Sequence, residues 1–170
     1  WVYESPVPPH PAWGGPAKWD AFARRVPLTP MRDYDKVFHP IVAGKYLYFG
    51  SSTDDAVHCI NTRTGKEKWR FTTSGPIRIA PTCADGRVYV AAFGSAKIGV
   101  LGANGVLERR IEVGDGPCGV AVDDARGRLY VVRRIPGALD VVDLTNDSVL
   151  SLPMNFDPTT PYVHHGRQLF

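Results

Sequence analysis

Three stretches of the chain alternate apolar and polar positions and open on glycine: "GKYLYFG" from Gly44, "GRVYVAA" from Gly86 and "GRLYVVR" from Gly127. A period of two throws successive side chains to opposite faces of a strand, so each stretch predicts a strand entered through a tight turn. The three starts are almost evenly spaced. Other pieces keep the same beat. "SGPIRIA" from Ser74 returns one interval later as "DGPCGVA" from Asp115. "AVHCINTRTGKEKWRF" returns as "KIGVLGANGVLERRI" and again as "ALDVVDLTNDSVLSL", each a strand, a turn and a further strand. The turns fall at Thr64-Gly65, Asn104-Gly105 and Asn146-Asp147.

Four short strands in about 41 residues make one blade of a β-propeller. Repetition has a physical reason: one small twisted sheet cannot cover both of its faces, and its neighbours must do so. The fold class is therefore all-β, with three four-stranded blades over 37–75, 76–114 and 115–153. The Tyr-bearing strands, with Tyr46, Tyr48, Tyr89 and Tyr130, belong at the centre of each sheet. Trp69 and Phe71 share one face and should be buried between neighbouring blades. One interval on from Trp69, Arg110 stands in the tryptophan's place. No Gly-His and Trp-Asp pairing of the WD40 kind occurs. Propellers close with roughly four to eight blades, so three blades are expected to form part of a larger one.

The ends lie outside the repeat. "WVYESP" at Trp1 reads like Trp69-Arg70-Phe71, the last strand of a preceding blade, and the chain shows neither an initiator Met nor a signal peptide. Residues 1–36 are thus the end of a preceding blade plus a Pro- and Gly-rich insertion. A short helix is expected there over Ala17 to Arg25, with Trp19 and Phe22 on one face and Trp13 nearby. Residues 154–170 read as a tail or linker.

Composition narrows the class. Hydrophobic residues are 44% and charged residues 22%, which is globular, and Gly (17) with Pro (15) favours turns over long helices. The net charge of +3 is scattered, with no basic stripe, so nucleic acid is not an expected partner. No run reaches the roughly 20 apolar residues of a membrane span. Cys59, Cys83 and Cys118 match neither CxxC spacing nor an even disulfide set, and read as small hydrophobes in strands.

The stretch "GKYLYFGSSTDDAVHCINTRTGKEKWRFTTSGPIRIAPTCADGRVYV" is similar to the quinoprotein-type (PQQ-like) propeller repeat over residues 37–95. Gly50, Ser51, Asn61, Thr64, Gly65, Lys66, Trp69 and Phe71 stand at that pattern's positions. Residues 95–153 instead resemble the YVTN-type repeat, through Gly116-Pro117, Gly119, Asp123, Leu129-Tyr130-Val131 and Val142-Asp143. Two dialects in one chain fit either a divergent propeller or pieces of different origin. The tail "GRQLF" resembles the segment before a c-type cytochrome haem motif, although Cys-x-x-Cys-His itself is absent. These resemblances imply a bacterial, periplasmic or extracellular protein.

Little in the sequence carries chemistry. Asp54-Asp55 and Asp123-Asp124 have the oxygens Ca2+ takes, but Asp123-Asp124-Ala125-Arg126-Gly127 reads as a hairpin connection. His58 alternates within a strand, which favours packing. Arg133-Arg134 reads as part of a solvated loop. His164-His165 read as solvated tail residues. No catalytic residue and no metal ligand is assigned; the assigned roles are structural, on Gly44, Tyr48, Gly65, Trp69, Phe71, Gly86, Tyr89, Gly116, Pro117, Gly127 and Tyr130. Two functional classes follow. One is a non-catalytic binding or scaffold module that takes a protein partner or the remaining blades and needs no cofactor. The other is the propeller part of a redox enzyme, using PQQ with Ca2+ or joined to haem c. The PQQ-dependent resemblance implies adjacent cysteines, an Asp base and Ca2+ ligands. The separated cysteines favour the first class.

Overall fold

The structure, a computed structural model, describes residues 1–3, 39–51, 54–74, 77–135, 137–154, 160, 163 and 165. The expected helix, Trp13, Trp19, Phe22, His164 and the "GRQLF" segment lie outside these residues. Among the described residues, three antiparallel four-stranded sheets each use consecutive strands in chain order. The first sheet holds β1 (Pro40–Ala43), β2 (Tyr46–Ser51), β3 (Ala56–Asn61) and β4 (Glu67–Thr72). The second holds β5 (Thr82–Ala84), β6 (Arg87–Ala92), β7 (Lys97–Leu101) and β8 (Leu107–Glu112). The third holds β9 (Pro117–Asp123), β10 (Arg128–Arg133), β11 (Ala138–Asp143) and β12 (Val149–Pro153). These are three blades of a β-propeller.

Register matches the blades position by position. Tyr48 faces Cys59 and Cys59 faces Trp69 in the first. Tyr89 faces Val100, and Val100 faces Arg109, in the second. Tyr130, Val141 and Leu150 make the same row in the third. The residue in the tryptophan's place is therefore Arg109, not Arg110, which faces Gly99. The cause is a shorter turn. Asn61 N–H closes on Lys66 C=O in the first blade, whereas Gly102 N–H closes on Val106 C=O in the second. One residue fewer in that turn brings β8 into its row one residue earlier.

The core lies between blades. The first seam joins Tyr48, Val57 and Cys59 to Val88, Val90 and Leu101, with Ile77 from the connecting segment. That segment approaches closely: a Cβ on Gly50 would overlap the Ile77 side chain. The second seam joins Tyr89, Ile98, Val100 and Ile111 to Leu129, Val131 and Val142. Trp69 and Phe71 pack against the first seam as expected from their shared face, but both are half-buried rather than buried. They lie on β4, the edge strand, where solvent reaches the outer side.

Candidate functional site

The turn glycines and the aromatic strand ends form one recurring contact. The Trp69 indole N–H donates to the Ala103 carbonyl at 3.0 Å, laying the ring on the turn of the next blade. A Cβ on Gly105, whose φ is +81°, would lie 2.5 Å from a ring atom. Only glycine leaves room for the ring. Trp1 repeats the contact one blade earlier: its N–H donates to the Thr62 carbonyl at 2.9 Å and its ring covers Gly65. In the third position Arg109 donates to the Leu144 carbonyl at 3.1 Å and lies 3.3 Å from the Asp147 carboxylate. Gly44, Gly86 and Gly127 each sit at positive φ between the first two strands of a blade, and Gly116 does so just before Pro117 opens β9.

The first blade also gathers a charged cluster around His58, which is 2% exposed. Its Nδ1 lies 2.9 Å from Glu67 and its Nε2 lies 3.0 Å from Asp54. Phe49 stacks on the ring with centroids 4.6 Å apart, and Tyr3 meets both rings edge-on. The Tyr3 hydroxyl donates to Glu67, while Arg70 lies 3.6 Å from Asp54 and 3.4 Å from Glu67. Burial alone would raise both carboxyls. Hydrogen bonds from His58 and Ser51 outweigh it at Asp54, and those from Tyr3 and His58 do so at Glu67, so both sit below the usual carboxylate range. Burial and Glu67 push the Tyr3 hydroxyl up to about 12.

This arrangement limits the chemistry. A histidine acting as general base needs a free ring lone pair aimed at a substrate or nucleophile. Here a carboxylate stands at each ring nitrogen, and the nearby hydroxyl is turned to Glu67. The two carboxylates also share the Arg70 guanidinium, which occupies the point where they converge. Among the described residues no group of three or more His, Cys, Asp or Glu is placed to hold a metal ion. What the cluster does is clasp the Trp1–Tyr3 segment onto the first blade.

The other candidate residues separate. Asp55 does not share Asp54's role: it is buried at φ +54°, and its carbonyl accepts from Thr73. Asp123 caps the short 3-10 turn Asp124–Arg126 that leads to Gly127, as a hairpin connection requires. Arg133 corrects the loop reading. It ends β10, and its Nε lies 2.8 Å from the fully buried Asp140, with Nη2 donating to Ser151. Arg134 is exposed, and so is His165. Cys59 is buried, Cys83 and Cys118 are half-buried, and all three are free thiols.

The blades and their seams define a β-propeller of repeated four-stranded units. A family model described as outer membrane protein assembly factor BamB matches residues 19–129, more than half of the chain. The chain belongs to that family, the PQQ-like repeat propellers. The match runs past residue 95, through the whole second blade and into the third. No curated protein matches the chain. Among solved structures, Kuenenia stuttgartiensis hydrazine synthase aligns at TM-score 0.56 and 21% identity, covering 66% of this chain and 33% of that one. Virginiamycin B lyase from Staphylococcus aureus aligns at 0.59 and 16%, covering 71% and 42%. The WD40 β-propeller domain of Doa1 aligns at 0.54 and 15%, covering 65% and 37%. At these identities the likeness is one of fold, and the chain spans about a third to two-fifths of the structures it matches. Among the described residues no helix is long and apolar enough to cross a membrane.

Proposed function

We propose that this chain is a non-catalytic β-propeller scaffold of a bacterial exported protein, whose third blade docks a further four-stranded blade. The observation that carries this reading is the outer face of the third blade. By register, Tyr130, Leu139, Val141, Leu150 and Leu152 stand where Tyr48, Val57, Cys59, Trp69 and Phe71 meet the second blade. Four of these five positions in the second blade, Tyr89, Ile98, Val100 and Ile111, are 3% exposed or less, and the fifth, matching Leu150, holds the partly exposed Arg109. In the third blade Leu150 is 61% and Leu152 is 43% exposed. A face that is covered twice within the chain, and is as apolar at its third occurrence, takes the same kind of cover. The blade comes either from a longer chain or from a second molecule. The family's description as an outer-membrane assembly factor supports placing the protein in the periplasm.

The redox reading draws on the haem-module resemblance of the tail. The intact mass of the native protein, with a haem stain on the same gel, separates the two. A larger chain or stable complex without haem agrees with the scaffold. A haem-positive band favours the redox class. A native 18.7 kDa monomer overturns the proposed docking.

A further inference from the structure

One tip of the first blade collects four cations from separate strand ends. Lys45 lies in the turn between β1 and β2, Arg63 and Lys66 in the turn between β3 and β4, and Lys68 in β4. All four are exposed. Hydrogen bonds draw the two turns together: the Lys45 carbonyl accepts from the Thr62 N–H at 3.0 Å and from the Thr62 hydroxyl at 3.1 Å. Within the second turn, the Asn61 side chain accepts from the Arg63 and Thr64 N–H groups, and the Asn61 N–H donates to the Lys66 carbonyl. The Lys68 and Lys45 ammoniums lie 4.5 and 5.5 Å from the Tyr46 ring centroid. A hydrogen bond from Lys68, with both ammoniums close by, holds the Tyr46 hydroxyl below the usual tyrosine range. Among the described residues none of the four cations has a carboxylate partner. Glu67, between Lys66 and Lys68 in the chain, is turned to His58, Tyr3 and Arg70. By register, Tyr46 and Lys68 stand where the second blade has Arg87 and Glu108, which pair at 2.8 Å. The first blade thus gathers cations where its neighbour builds an ion pair.

We propose that this tip is a docking surface for an acidic segment of a protein partner, whose carboxylates pair with Lys45, Arg63, Lys66 and Lys68. Like charges gathered on one exposed tip repel one another, and an anionic partner relieves that repulsion and is steered toward it. Three of the four are lysines, whose ammoniums on flexible stems meet carboxylates without a fixed geometry. Thr62 and Thr64, which stand among the cations, are polar. That suits a hydrated acidic chain better than a bilayer, which asks for an apolar face beside the charge. The surface belongs to the first blade and does not depend on what covers the third.

The test is a titration of the isotopically labelled chain with hexaglutamate, followed by amide chemical shifts, beside hexaglutamine and beside phosphatidylglycerol vesicles. Saturable shifts at Lys45, Arg63, Lys66 and Lys68 are expected with hexaglutamate and not with hexaglutamine. They should weaken as ionic strength rises from about 0.01 to about 0.15 M, because exposed charges are screened. A Lys66→Gln/Lys68→Gln variant, whose substitutions fall on exposed side chains, should keep its fold and bind about tenfold more weakly. Arg110→Gln/Arg134→Gln removes the same charge from exposed positions elsewhere and should bind as the wild type does. No saturable shift at these amides in the wild type would overturn the proposal. So would an equal loss in the two variants, which would reduce the effect to net charge, or binding to the vesicles without binding to hexaglutamate, which would assign the tip to a lipid surface.

Discussion

Trp69 lies flat against Gly105, with its indole N–H on the carbonyl two residues earlier, and this contact joins the first blade to the second. A Cβ on Gly105 meets the ring and also suffers a left-handed backbone, at φ +81°. Gly86, at φ +70°, has open space where its Cβ would be. Gly86→Ala should thus cost only the backbone strain, about 1 kcal/mol. Gly105→Ala should cost about 2–4 kcal/mol, because the ring must also move. Denaturant melts of the two variants check the difference; equal losses would show that the ring contact adds nothing.

Trp69 itself is half-buried on an edge strand. Its truncation to alanine should cost about 2–3 kcal/mol, below the full core loss for a tryptophan. The midpoint of urea unfolding reads this directly.

Arg109 and Asp147 replace the tryptophan and glycine of the other seams as a pair. Asp147 takes φ +59° where Gly65 and Gly105 sit. Arg109→Trp alone should destabilise the chain, since the Asp147 side chain occupies the ring's place. Arg109→Trp with Asp147→Gly should recover most of the loss. The ion pair itself, about one-third exposed on both sides, should contribute less than about 1 kcal/mol. A double-mutant cycle that found the two positions independent would contradict the pairing.

The His58 cluster makes the chain acid-sensitive. Asp54 and Glu67 have folded values held below their ordinary ones. Their contribution is therefore complete above the ordinary carboxylate range and is lost as pH falls through the depressed values. The melting temperature should drop on acidification across that window. Glu67→Gln should lower it at neutral pH and flatten the drop. An unchanged acid profile in the variant would remove Glu67 from the account.

Much of this fold is legible in the sequence because each blade repeats the same local choices. Gly-basic-apolar-Tyr recurs from Gly44, Gly86 and Gly127, and Trp69 with Phe71 declares the face that meets the next blade. The displacement of Arg110 by Arg109 is hidden, since it depends on a turn one residue shorter, and a ruler laid along the chain ignores turn length. The charged cluster is less legible still. Alternation puts His58 on a face but does not say that Glu67 and Arg70 return beside it or that Tyr3, 55 residues earlier, closes over it. A histidine paired across a strand with arginine, in register His58 to Arg70, is the available signal. Arg133 reads as solvated from the sequence because its partner, Asp140, lies on the next strand of the same sheet.

The outer face of the third blade carries the central claim, and sedimentation of the chain over a range of concentrations tests it most directly. Wild type should associate as concentration rises and bind a hydrophobic dye, whereas Leu150→Asp/Leu152→Asp should remain a folded 18.7 kDa monomer with little dye bound. A wild-type chain that stays monomeric throughout and binds no dye would contradict the claim.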